Sequence, residues 1–168
     1  KCYFLYERIG IWLANRLSLS NLFKVSTASA GWDITRTDVF READIIHLHW
    51  VNQGLLSIKS IQKILQSGKP VVWTMHDMWP ITSICHHSYE CDKYQSECYE
   101  CQFLKYPSIS DLSVRIFRKK KYLYGNNKIY FVAVSKWLAE KASKSEIIRG
   151  QLVAVIPNAI NIAHFNMI

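Results

Sequence analysis

A chain of 168 residues, 49% of them hydrophobic, is long enough to bury the core of one domain, so disorder is excluded as the default reading. Its 21 Lys and Arg against 13 Asp and Glu give a formal charge of +8. That excess suits nucleic acid, anionic lipid headgroups or a phosphorylated substrate, and does not choose among them. No apolar run approaches the roughly 18 residues that span a bilayer. No basic segment leads into an apolar run and a cleavage site, but the chain begins at Lys1, so an upstream segment is expected.

Residues 1–42 read as an irregular, partly helical lead-in. Within them Arg8–Leu22 places Ile9, Leu13 and Leu17 at the spacing of an amphipathic helix, and Ser26–Asp38 reads as a loop or short turn. From Ala43 to Ile156 the chain alternates strands and helices, the pattern of an α/β domain. Asp44–Trp50 is a short strand. Ser57 caps a helix whose Ile58, Ile61, Ile64 and Leu65 share one face, and Gly68 ends it. Pro70–Met75 is a second strand. Residues 79–108 then form a loop rich in Cys, His and Tyr, far longer than an ordinary crossover connection. Asp111–Tyr124 reads as a helix with Leu112, Ile116 and Leu123 inward and the basic cluster Arg115, Arg118, Lys119, Lys120 and Lys121 outward. Lys128–Val134 is a third strand, Ser135 opens a further helix, and Leu152–Ile156 is a fourth strand. Residues 157–168 read as the start of a linker.

Near-continuous apolar strands separated by helices predict a Rossmann-like parallel sheet covered on both faces. Ligands of such sheets bind outside the carboxyl ends of the strands. Here those ends carry His49 and Trp50, then His76 and Asp77, then Ser135, then Asn158. Imidazole, carboxyl, hydroxyl and amide groups converge on one edge, which suits phosphate or sugar chemistry.

Each residue also has a plainer reading. His76 can donate to a sugar hydroxyl or act in acid–base chemistry, or it can simply satisfy a backbone group. His47 and His49 lie on one side of their strand, and His49, nearer the carboxyl end, is the one expected in the cleft. Ser135 serves equally as a helix cap and as part of an anion site. Trp73, Trp79 and Trp137 read as core and cleft walls. Cys85, Cys91, Cys98 and Cys101 follow the spacing C-x5-C-x6-C-x2-C. A structural zinc site with His86 and His87 as spare ligands, two disulfides, and reduced thiols are all compatible with it.

The motifs HLHW (47–50), VVWTMHDMWPIT (71–82), CHHSYECDKYQSECYEC (85–101), VSKWLAEKASKS (134–145) and VIPNAINIAHF (155–165) occur in that order. The series resembles the family 4 glycosyltransferases of the B-type fold, especially bacterial members that act in capsular or extracellular polysaccharide assembly. The resemblance implies a two-domain enzyme in which this chain is the acceptor-side, amino-terminal part. It implies retaining transfer of a sugar from a nucleotide-sugar to a polysaccharide or lipid-linked oligosaccharide, with no catalytic cofactor. It matches His76 to the histidine that reaches the transferred sugar, the Ser135 motif to a turn at the cleft, and Val155–Phe165 to the join into the second domain. The family's first strand with its Gly-rich turn does not precede Ala43, and the donor domain does not follow, so transfer is not expected from this segment alone. A cytoplasmic location with contact at the inner membrane face is expected, and no nucleic acid. The rival reading is a metal-stapled basic module that binds nucleic acid or a protein partner; a weaker one is a carbohydrate binder without chemistry.

Overall fold

A computed structural model describes residues 2–160. Four strands, β1 (Ile46–Leu48), β2 (Val71–Met75), β3 (Tyr130–Ala133) and β4 (Leu152–Val155), form one parallel sheet in the order β1-β2-β3-β4. Three connections carry helices: α3 (Ile58–Gln66), α4 (Leu112–Gly125) and α5 (Lys136–Ser143). The lead-in contributes α1 (Cys2–Ala14) and the short α2 (Asp38–Glu42), the latter beginning inside the stretch expected to be loop. Residues 161–168, which hold most of the expected linker, lie outside the described residues.

Register explains where the core sits. Leu48 pairs with Trp73, Trp73 with Phe131 and Phe131 with Val153, so these side chains share one face of the sheet. Leu48, Trp73 and Phe131 are buried there with Ile61 and Ile64 of α3, Phe117 and Tyr124 of α4, and Leu138 and Ala142 of α5. The helices whose buried residues enter this core thus meet the sheet from one face. The expectation of a sheet covered on both faces is corrected: on the opposite side Thr74 and Val132 are buried, but His47, Tyr130, Leu152 and Ala154 are exposed. Each step in the strand order runs the same way, and right-handed crossovers that advance in one direction deliver their helices to one face.

The caps follow the sequence closely. Ser57 accepts from Ser60 N, Ser135 from Leu138 N and Asp111 from Ser113 N. Gly68, just after α3, has φ +79°, a conformation that L side chains resist. Gly54, at φ +86°, lies so close to α1 that a Cβ would sit 2.4 Å from Phe4 N. A glycine there lets α1 rest on the loop after β1.

Two expectations fail in the helices. The helix expected over Arg8–Leu22 runs Cys2–Ala14 instead, and Ile9, Leu13 and Leu17 are exposed rather than inward. Glu7, Arg8 and Ile11 face in. The reason is a polar socket: Glu7 Oε1 accepts from Ser26 Oγ (2.6 Å), Thr27 N (2.7 Å) and Ala28 N (2.8 Å). Arg8 Nη1 donates to Leu22 O and Val25 O. In α4 the basic cluster is not wholly outward, since Lys120 is fully buried. Its Nζ donates to Trp79 O (2.6 Å) and Thr82 O (3.0 Å) and lies 3.2 Å from the Trp79 ring centroid. Burial pushes its pKa well below the ordinary lysine value, against the opposing pull of Cys85, Asp77 and Cys98.

Candidate functional site

The sheet brings His49 and His76 together because they follow the carboxyl ends of two paired strands. His49 Nδ1 lies 2.9 Å from His76 Nε2, and the rings stack at 5.2 Å with a 22° interplanar angle. Of these two ring nitrogens, one carries the hydrogen and donates while the other accepts. His76 is exposed, and its Nδ1 has no hydrogen-bond partner among the described residues. Trp73 Nε1 donates to His49 O (2.9 Å), which fixes the end of β1 from within the core. His47, two residues earlier, has its Nε2 2.8 Å from Thr74 Oγ1 on the sheet face. Burial, and then the neighbouring His49, hold the His47 pKa below the usual imidazole value.

Trp50 and Asp77 form a second pair beside the histidines. Trp50 Nε1 donates to Asp77 Oδ2 (2.8 Å), and Trp79 N donates to Asp77 Oδ1 (2.9 Å). The third partner is His86, whose Nδ1 lies 2.7 Å from Asp77 Oδ2. Burial alone would raise the Asp77 pKa; the His86 contact, the Trp79 amide and the Trp50 indole together outweigh it and hold the carboxyl below its ordinary value. A cavity of about 390 Å³ opens here, walled by Trp50, Asp77, His86, His87, Tyr89 and Phe103, with Phe23, Lys24 and Gln53 completing it. Aromatic walls around a few fixed polar groups suit a sugar or another polyhydroxyl ligand.

His86 and His87 are the spare ligands in the zinc reading of the cysteine loop. In the structure His86 serves Asp77, and the His87 ring stacks on Trp137 of α5 at 5.4 Å. No short-range pattern marks this, because eight residues, a single 3-10 turn (Trp79–Ile81) and loop, separate Asp77 from His86. The return is secured by Met78 N, which donates to His86 O (2.9 Å). Ser135 stands at the end of β3 with its hydroxyl taken up as the α5 cap. Asn158 is exposed beyond β4 and makes no side-chain hydrogen bond among the described residues. Neither contacts the His49–His76 and Trp50–Asp77–His86 cluster through a hydrogen bond among the described residues. Trp73 and Trp79 are core residues, whereas Trp137 is exposed and reaches the cavity only through its stack on His87.

Cys85, Cys91, Cys98 and Cys101 are all free thiols of intermediate exposure. Burial pushes Cys98 and Cys101 up to about 12, and the neighbouring cysteines add to the rise. They therefore lie within electrostatic reach of one another. Among the described residues, however, no three Cys, His, Asp or Glu side chains converge as they would around a metal ion. No described helix is long and apolar enough to cross a membrane.

No solved structure matches the chain. A protein of Escherichia coli (strain K12) described as "Putative colanic acid biosynthesis glycosyl transferase WcaC" is 26% identical over 112 residues, covering 64% of this chain and 26% of that protein. The chain thus spans about a quarter of the length of this relative. The family model described as Glycosyltransferase Family 4 matches residues 6–164. With nearly its whole length matched, the chain belongs to Glycosyltransferase Family 4.

Proposed function

We propose that this chain is the acceptor-side part of an enzyme that transfers a sugar, with retention, from a nucleotide-sugar to a polysaccharide or lipid-linked oligosaccharide. The observation that carries this reading is the exposed His76, 2.9 Å from His49 and adjacent in sequence to Asp77, which lines a cavity with its partners Trp50 and His86. In this reading His76 donates to a hydroxyl of the sugar in transit. Trp50 and Asp77 bind acceptor hydroxyls, and His49 orients His76. Ser135 and Asn158 are the polar groups that the remaining strand ends offer to substrate. The nucleotide-sugar is the co-substrate, held mainly by a second domain, and no catalytic cofactor is needed. Similarity to the Escherichia coli protein described as a putative colanic acid biosynthesis glycosyl transferase supports a role in polysaccharide assembly. The segment alone is expected to be inactive, so the test uses the full-length enzyme. There, His76→Ala lowers turnover with nucleotide-sugar by on the order of 100-fold or more. Unchanged turnover in this variant removes His76 from the mechanism.

A structural zinc on the four cysteines is a second part of this proposal. The donors are of the right kind and none is tied up in a disulfide, but metal binding would have to draw the thiols together. Elemental analysis of protein purified under reducing conditions should find about one zinc per chain. The metal should be lost in Cys98→Ser and Cys101→Ser together. Wild-type protein that holds no metal would leave the loop as reduced thiols.

A further inference from the structure

Asp77 keeps one hydrogen-bond position open for a ligand. An ionised carboxylate offers about two acceptor positions on each oxygen. Oδ2 already accepts from the Trp50 indole at 2.8 Å and from His86 Nδ1 at 2.7 Å. Oδ1 accepts only from the Trp79 amide, at 2.9 Å. A substrate hydroxyl that binds Asp77 therefore meets Oδ1, and the group that fixes Oδ1 is a backbone N–H of the 3-10 turn Trp79–Ile81. How that turn is held decides where the open position stands.

The turn is held from α4. Lys120 Nζ donates to Trp79 O (2.6 Å) and Thr82 O (3.0 Å), and it lies 3.2 Å from the centroid of the Trp79 ring. An ammonium has three donors, and two carbonyls and a ring face take them here. Trp79, Ile81, Thr82 and Lys120 are each 0% exposed, so water does not stand in for this side chain. A second staple closes the same turn, from Ser145 Oγ to Ile81 O (2.7 Å), out of the segment that follows α5. Met78, just before the turn, donates its amide to His86 O and so ties in the other partner of Asp77.

Stability does not explain a lysine at this position. Lys120 forms no ion pair among the described residues, and Ile116, Phe117, Leu123 and Tyr124 around it on α4 are all buried. Burying a cation without a carboxylate is costly, and apolar residues of similar size often match or exceed a buried charge in stability. A helix that needed only packing would carry methionine or leucine there. What Lys120 supplies, and an apolar side chain does not, is a fixed location for two carbonyls of the turn.

We propose that Lys120 is a positioning residue for acceptor recognition, clamping the turn after Asp77 so that the open position on Oδ1 is presented to a hydroxyl of the acceptor. Lys120 touches no substrate and acts through the Trp79 amide. The role rests on the acceptor reading of the cavity, and a nucleotide-sugar held by another domain should not sense it.

The test uses the full-length enzyme, the UDP- or GDP-sugar that supports wild-type transfer, and a detergent extract of the source cell envelope as the acceptor pool. Lys120→Met keeps the length of the side chain and removes its donors. It should raise the amount of extract needed for half-maximal transfer by about tenfold, since small displacements of a positioning group carry large losses. The KM for the nucleotide-sugar should change by less than about twofold, because uniform damage would move both values. Ser145→Ala, a gentler loss in the same turn, should raise the extract requirement by about threefold. Gly68→Ala strains the left-handed residue after α3, at the other end of β2, and should lower stability while leaving both values unchanged. A folded Lys120→Met enzyme with the wild-type requirement overturns the proposal, and so does an equal rise in both values or in Gly68→Ala. Where Lys120→Met does not fold, an unchanged requirement in Ser145→Ala overturns it. Asp77→Asn in the same assay separates the two failures. A wild-type requirement there removes the cavity as the acceptor site and Lys120 with it, whereas a raised one beside wild-type values in Lys120→Met removes Lys120 alone.

Discussion

Glu7 and Asp77 are both carboxylates met by several donors, yet they sit in opposite kinds of place. Glu7 is wholly buried, and one oxygen gathers a hydroxyl and two amides from the single segment 26–28. Its neighbour Arg8 is buried as well, 3.4 Å from the second oxygen, and binds carbonyls of residues 22 and 25. Everything around this pair belongs to the joint between α1 and the strap that follows. Asp77 also receives three partners, but two of them are the side chains of Trp50 and His86, and the other faces of these rings wall a cavity. About a fifth of the Asp77 side chain remains open. The number of bonds does not separate an anchoring carboxylate from one available to a ligand. What separates them is whether the partners face inward or toward space.

The largest effect should come from the sealed pair. Glu7→Ala leaves Arg8 as an uncompensated buried charge and strips the acceptor from Ser26, Thr27 and Ala28. Breaking such a pair costs about 3–5 kcal/mol, enough to exhaust much of the stability of a small domain. Urea unfolding of the variant measures it. A loss under about 1 kcal/mol would show that the socket is wet or adaptable, and the contrast with Asp77 would collapse.

The two regions also differ in how readily the sequence discloses them. The strands and the helices α3, α4 and α5 follow from apolar runs and from Ser57, Asp111 and Ser135 at their starts, since local chemistry and burial agree there. His49, Trp50, His76 and Asp77 are legible as one cluster because parallel pairing of two strands necessarily brings their carboxyl ends together. In α1 the logic inverts. Its inward residues Glu7 and Arg8 are charged and satisfied by a loop some twenty residues on, so hydrophobic periodicity selects the wrong face. Lys120 is different again: it lies three and four residues from Phe117, Ile116, Leu123 and Tyr124, all buried. Helical spacing alone places it in the apolar stripe, and only its membership of a basic run argues otherwise. His86 had no such signal, because a loop without periodicity delivers it to Asp77.

A smaller and more discriminating effect is expected at Asp77. Asp77→Asn keeps one acceptor oxygen and the side-chain volume, so the folded state near neutral pH should lose only about 1 kcal/mol. Transfer by the full-length enzyme should nevertheless fall at least tenfold, because the amide no longer balances His86 or fixes the Trp50 indole toward the cavity. The pH dependence gives an independent check. The folded-state pKa of Asp77 is depressed, so its stabilising contribution is fully present above the unfolded value of about 3.9. It is lost as the pH falls through the lower folded value, where the proton that the unfolded chain already holds must also be taken up by the native state. Wild type should therefore lose more stability than Asp77→Asn between pH 5 and pH 3 (roughly the window around the unfolded carboxylate pKa). Parallel acid limbs in the two proteins would mean that the donors around Asp77 do not favour its charged form. Full activity with a Glu7-sized loss of stability would make Asp77 a second anchor, and the open side of the pair would have no chemical meaning.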